Sequence, residues 1–416
     1  MMLAVAVFLA ALSQLWLHAP TGVSGAVHSL FVGNLMDPAL MYSLVFDDET
    51  HSLNRAETIT AEASHAWITF DHSKTNIYGA SLNKPFISSY ALSHSASSSP
   101  TNNSTTPLHV SRTRTVAATG ACAKTTSAFV EALPYPPYTV YTVSWPGPDA
   151  CGMAISVDAT GALDTVLQSW HYSATSGVHG LALGRSNKGN DTLLYSADLS
   201  GDAVWTHRVD GTTGKVREVG RRAMKRAGMH PRHVRVGGNG RWVYVVMEAA
   251  NSVVGFEVDG EDGVEFSLIP AGMLFPSGIK NKKKGYDTKN YWSAEVMLSP
   301  SGRYLWATAR SQQKADVVGY ISVFLLAADG AIVKRMFMVP TTTKGGWANA
   351  IRPAFWSDEY AAMTDTPTGY VQIWKLDGPK ETEHGVVEYR TAKAVARVDL
   401  NVGNATGCCA NAIWYS

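Results

Sequence analysis

Charge is scarce in this chain. Only 17% of its 416 residues are charged, and the formal net charge is +1. So balanced a chain has no overall field to draw it onto nucleic acid or an anionic membrane, and a charged ligand must be met by a local pocket. Cysteine is scarce too: four are too few for a disulfide scaffold, and their spacing matches no zinc site. Cys122 and Cys151 flank one irregular segment and are able to pair in an oxidising compartment. Cys408 and Cys409 are neighbours, between which ordinary disulfide geometry is strained. No Ser or Cys stands in an activating motif such as G-x-S-x-G. Helical periodicity is almost missing after the N-terminal apolar run, which argues against an α-rich fold.

The N-terminal run itself reads as a secretory leader. Met2 to Leu17 is nearly all apolar and is followed by the small-residue stretch HAPTGVSGA. That is short for a membrane span and fits cleavage near Ala26, although no Lys or Arg precedes it. A buried N-terminal helix or a signal anchor is the alternative. The expected organisation is therefore a signal peptide over 1–26 and one domain over 27–416, with a secreted product that keeps no membrane span. Asn-x-Ser/Thr acceptors at Asn102, Asn103, Asn190 and Asn404 become N-glycosylation sites if the leader is used.

What the sequence has in quantity is apolar residues, glycine and tryptophan: 45% hydrophobic, 36 Gly and 12 Trp. Short runs of Val, Ile, Tyr, Phe and Trp alternate with Gly, Asp, Asn, Ser and Pro, the pattern of strands and turns. A longer unit repeats over them. It shows best in 230–259, as HPRHVRV, GGNGR, WVYVVMEAA, NS and VVGFEVD, and recurs in 291–329 and 177–210. More divergent copies lie at 64–92 and 349–377, and the irregular Cys122–Trp170 region has the length of another. The segment from Phe31 matches the second and third strands of a unit lacking its first, while the terminal ANAIWYS resembles a lone first strand. A ring closed by donating that strand to the N-terminal blade leaves no unpaired edge. The expected fold is an all-β propeller of about seven blades, six or eight also being compatible with the count.

In such a ring the first strand of each blade lines the central channel. Four charged residues stand on those strands or just past an apolar one: His179 in GVHGLAL, Arg232 in HPRHVRV, Glu248 ending WVYVVME and Arg310 ending YLWATAR. Converging on one mouth, they would suit a polyanionic small molecule and proton transfer. The bland reading is a structural His179, a buried Arg232–Glu248 ion pair and a rim Arg310. His230, His233, Arg235, His65 and Arg352 lie near inner-strand starts and could contribute, each reading first as structural.

The strings SHAWITF with NIYGASL, GVHGLALG, HPRHVRV, VVMEAANSVVGFEV, WATARS and GCCANAIWYS resemble the fungal carboxy-cis,cis-muconate cyclases over nearly all of the mature chain. PRHV followed by an apolar strand and Glu248 is shared with bacterial lactonase propellers such as 6-phosphogluconolactonase. The resemblance implies a seven-bladed propeller and a cofactor-free, metal-free intramolecular lyase that closes 3-carboxymuconate to its lactone. The motif matches carry the family's one His, one Glu and two Arg onto His179, Glu248, Arg232 and Arg310. Arg232 and Arg310 fit as clamps on the polycarboxylate and His179 as the proton-transfer group, with Glu248 either orienting and polarising His179 or exchanging roles with it. The family reaction belongs to intracellular breakdown of aromatic acids, at odds with the leader. Two other classes stay open: a hydrolase acting on a sugar lactone, and a secreted glycoprotein using a non-catalytic propeller for adhesion or recognition.

Overall fold

Among the described residues, the computed structural model of the chain holds seven four-stranded antiparallel sheets and one two-stranded ribbon, Lys380–Glu381 with Val387–Glu388. The structure describes residues 26–94, 108–186, 189, 191–259, 265–273, 288–312, 317–347, 349–383, 385–401 and 407–416. The expected leader and the four glycosylation acceptors lie outside the described residues, Ala26 excepted. The innermost strands, from the second blade onward, are Trp67–Phe70, Ser127–Ala132, Val178–Arg185, Pro231–Val236, Tyr291–Leu298 and Ile351–Pro353; Cys408–Trp414 serves the first. Each neighbours the next, and the last neighbours the first, so the ring is closed.

Closure takes the form read from the two ends. Cys408–Trp414 lies antiparallel to Val27–Asn34, with Phe31 opposite Ile413 and Leu30 opposite Trp414. Asn411 then stitches the seam to the second blade: its Oδ1 accepts from the Ile68 amide at 2.8 Å and its Nδ2 donates to the Ile68 carbonyl at 2.9 Å. The core lies between blades. Tyr42, Leu44 and Phe46 of the first pack against Tyr360, Val371 and Ile373 of the seventh and against Trp414. Trp242, Tyr244 and Val246 of the fifth meet Leu305 and Phe324 of the sixth.

The aspartates that punctuate the repeat hold its turns. Asp198, fully buried, accepts from the Gly177 and Gly201 amides at 2.9 and 2.8 Å and from Trp205 Nε1 at 2.9 Å. Buried carboxylates persist when their oxygens are satisfied in this way. The irregular region forms the third blade, Ser127 to His171. Cys122 and Cys151 are joined there, and Cys408 is joined to Cys409 at the closing strand. One feature differs from the three-strand unit of the sequence: every blade has a fourth, outer strand, such as Val216–Ala223.

Candidate active site

The channel opens at one end into a cavity of about 310 Å³. His179, Arg232, Glu248 and Arg310 all line it, together with Trp67, Trp145, Trp292, His233 and Asn349. Regular strands send alternate side chains to opposite faces, and here the pairing slips to change that. The register shifts at Val178/Gly180, at Pro231/His233 and at Ser293/Val296, so His179, Arg232 and the pair Ala294–Glu295 have no cross-strand partner. Such bulges re-aim side chains. Arg232 and the next residue, His233, consequently both face the cavity. Gly180 permits the neighbouring strands to approach: a Cβ there would stand 2.6 Å from the Arg232 carbonyl oxygen.

One carboxylate oxygen organises the cations. Glu248 Oε2 sits 3.1 Å from Arg232 Nε and 2.8 Å from Arg310 Nη2. Arg232 Nη1 donates to the Ala294 carbonyl at 2.6 Å. Burial, with Arg310 close by and Glu248 opposing, pushes the Arg232 guanidinium down to about 10, still cationic at neutral pH. Arg310 rests over the Trp292 ring at 5.5 Å, and its Nε and Nη1 are buried without a partner. Asn349, 1% exposed, likewise leaves both amide atoms unpaired. Unsatisfied buried donors converging on a cavity mark where a ligand's acceptors would go.

His179 does not meet Glu248. Its Nδ1 lies 3.1 Å from His233 Nε2, and His233 Nδ1 lies 2.8 Å from Glu295 Oε2. Arg232 Nη1 also contacts His233 Nε2, at 3.3 Å. Guanidinium only donates, so His233 Nε2 is the acceptor and its Nδ1 carries the proton directed at Glu295. His179 must then donate from Nδ1, which leaves its Nε2 lone pair as the basic atom. Burial and the nearby Arg232, His233 and Arg310 hold His179 well below its ordinary value. It is a neutral imidazole, not the near-neutral titrant expected of an isolated histidine. Glu295 is the group moved to neutrality: burial raises it to about 7 against the pull of Arg235 and Arg232.

Sequence reading missed Glu295 and Asn349 and set His233 aside as structural. Glu295 was a single carboxylate inside an apolar run, the one signal that could have flagged it. The other secondary candidates go elsewhere. His65 is buried with Nε2 2.7 Å from the Tyr90 hydroxyl, and His230 serves through its backbone, whose oxygen accepts from the Glu248 amide at 2.8 Å. Arg235 and Arg352 lie towards the other end of the channel. Among the described residues no His, Cys, Asp or Glu grouping fits a metal ion.

A closed ring of seven blades with charged groups gathered at one channel mouth defines a lactonase-type propeller. The family described as "Lactonase, 7-bladed beta-propeller" matches residues 29–346, and the chain belongs to it. Within that family it is related to the carboxy-cis,cis-muconate cyclase of Neurospora crassa, 32% identical over 391 residues, covering 94% of this chain and 99% of that protein. A 6-phosphogluconolactonase of Erwinia tasmaniensis is 23% identical over 254 residues, 61% of this chain and 68% of the relative. The solved periplasmic gluconolactonase of Pseudomonas aeruginosa superposes with a TM-score of 0.68 at 16% identity, covering 94% of this chain and 99% of that one, a shared fold.

Proposed function

We propose that this cavity is the active site of an intramolecular lyase of the carboxymuconate cyclase type. The observation that carries the reading is the meeting of a neutral His179 base with the unpartnered N–H groups of Arg310 and Asn349 in one cavity. In the proposed reaction a carboxylate oxygen of 3-carboxymuconate adds across its conjugated double bond and closes a five-membered lactone. The displaced electron pair moves onto the neighbouring carboxylate as an enediolate, and a proton joins the α-carbon, so the product is an isomer of the substrate. Arg310, Arg232 and Asn349 hold the anion and stabilise the charge that develops. His179 Nε2 takes the α-proton in the lactone-opening direction. In the closing direction Nε2, made more basic by the bound polyanion, first takes a proton from solvent and then delivers it to the α-carbon. Glu248 is assigned to fixing the two arginines rather than to moving the proton.

A second reading rests on the same neutral base: His179 Nε2 activating water against a sugar lactone. Incubating the purified chain with 3-carboxymuconate, and separately with gluconolactones, while following ultraviolet absorbance tests both. Loss of diene absorbance is expected. Consumption of the gluconolactone alone would replace the cyclase by a hydrolase, and turnover of neither would leave a ligand-binding secreted propeller. His179→Ala is expected to lower turnover by roughly 10²–10⁴-fold with binding kept. Arg310→Ala is expected to weaken tricarboxylate binding by about 2–5 kcal/mol.

A further inference from the structure

The inner strands connect two mouths, and the second carries charge of its own. Four of them begin at the cavity described above and end at another. Trp67, Trp292, Ala350 and Asn411 line the first, whereas Phe70, Met297, Arg352 and Trp414, further along or just beyond in the same segments, line a second cavity of about 450 Å³. Pro231–Val236 does likewise, with Arg232 at one mouth and Arg235 at the other.

Arg235, Arg352 and Lys74 face this second cavity. Arg235 is anchored by donating from Nη1 to the Leu181 and Val234 carbonyls at 3.1 and 2.9 Å, and its guanidinium lies 5.7 Å from the Phe129 ring centre. Lys74 donates from Nζ to the Tyr415 carbonyl at 2.7 Å and sits 4.0 Å from the centre of the Phe355 ring. Arg352 Nη1 has the Met297 sulfur at 3.8 Å as its partner among the described residues. Burial is the chief influence on the Arg352 guanidinium and lowers it, Arg235 adds to that, and the buried Glu131 and Glu295 oppose them. Asp71 also lines the cavity, but its two oxygens are taken by the turn it caps. They accept from the Thr75 and Asn76 amides at 2.8 and 3.0 Å, and from the Ser73 and Thr75 hydroxyls at 3.0 and 2.9 Å. Lys74 and Arg352 repel one another enough to lower the lysine's affinity for its proton, burial contributing more. Among the described residues no carboxylate forms an ion pair with these three cations, and cations so placed are stabilised by an anion. The walls beside them are apolar: Phe70, Pro353 and the half-exposed Phe355.

We infer that this mouth is a second binding site, taking a small organic carboxylate with a planar apolar body, separate from the His179 cavity. The carboxylate would lie among Arg352, Arg235 and Lys74 and the body against Phe355. Calorimetric titration of the full-length protein with benzoate, and with acetate for comparison, tests it. Saturable benzoate binding is expected to persist in Arg310→Met, to weaken roughly tenfold or more in Arg352→Met, as loss of a charge-assisted pair does, and to exceed acetate binding. Lys74→Met, at the rim, is expected to weaken it too, and decides the matter if Arg352→Met does not fold. Binding abolished by Arg310→Met and untouched by Lys74→Met would overturn the inference. So would an absence of saturable binding, or acetate bound as tightly as benzoate.

Discussion

At the scale of single residues, the channel is a stack of groups whose charges are decided by their neighbours. Arg232 fixes the acceptor nitrogen of His233, His233 thereby fixes the tautomer of His179, and Glu295 receives the remaining N–H. Glu295 is fully buried and raised from 4.5 to about 7, chiefly by burial. A carboxyl raised in the folded state keeps its proton there while the unfolded chain gives it up. Its contribution is therefore favourable relative to high pH below about 4.5 and is lost as pH rises through 7. A rise of that size corresponds to about 3 kcal/mol. Glu295→Gln, which cannot ionise, is expected to lose less melting temperature than the parent between pH 5 and pH 8. Parallel melting curves against pH for the two proteins would show that Glu295 is ionised in the fold throughout. His179 and His233, both depressed, act at the acid end and are common to the two proteins.

At the scale of elements, the inner strand is the unit that matters, and the terminal one closes the ring. Cys408–Trp414 covers the free edge of Val27–Asn34 and packs Trp414 between the first and seventh blades. Deleting Ala410 to Ser416 exposes that edge and removes Asn411 from the seam, so the truncated chain is expected to aggregate or to melt well below the parent. Melting at the parent's temperature would mean that the ring does not need its donated strand. This closure was legible because the split repeat left one unit without its first strand and one strand without its unit. The outer strands were not legible: Val216–Ala223 carries Arg217, Glu218, Arg221 and Arg222 and buries little beyond Val216, so no apolar alternation marks it. The third blade was blurred by Pro134, Pro136, Pro137, Pro146 and Pro148, which interrupt its strand pattern. Glu248 and Arg310 stood out because they occupy like places in successive repeats. Glu295 and Asn349 did not, because a bulge aims the first and a loop carries the second, and neither feature has a periodic signature.

At the scale of the whole molecule, near-neutral net charge coexists with a channel that concentrates arginine, histidine and glutamate at its two mouths. The charge able to meet a ligand is thus gathered at the axis, and the outside is free to suit a compartment. Two features bear on which one. Both cysteine pairs are joined, a state that oxidising compartments maintain and the cytosol opposes. The first sheet begins at Val27, and the preceding Ala26 pairs through its carbonyl with the Asp48 amide at 3.2 Å, so among the described residues the ring closes from Ala26 onward. The expected outcome of expression in a eukaryotic secretion host is a product in the medium whose N-terminus lies near Val27. Its four cysteines should resist alkylation until reduced, and its electrophoretic mobility should rise on enzymatic removal of N-linked glycan. The acceptors Asn102, Asn103, Asn190 and Asn404 would each lose that shift in part when changed to Gln. An intracellular product that retains Met1, reacts with alkylating agent at all four cysteines and ignores the glycosidase would place the protein in the cytosol. Export, by contrast, would require a carboxylate or lactone met outside the cell.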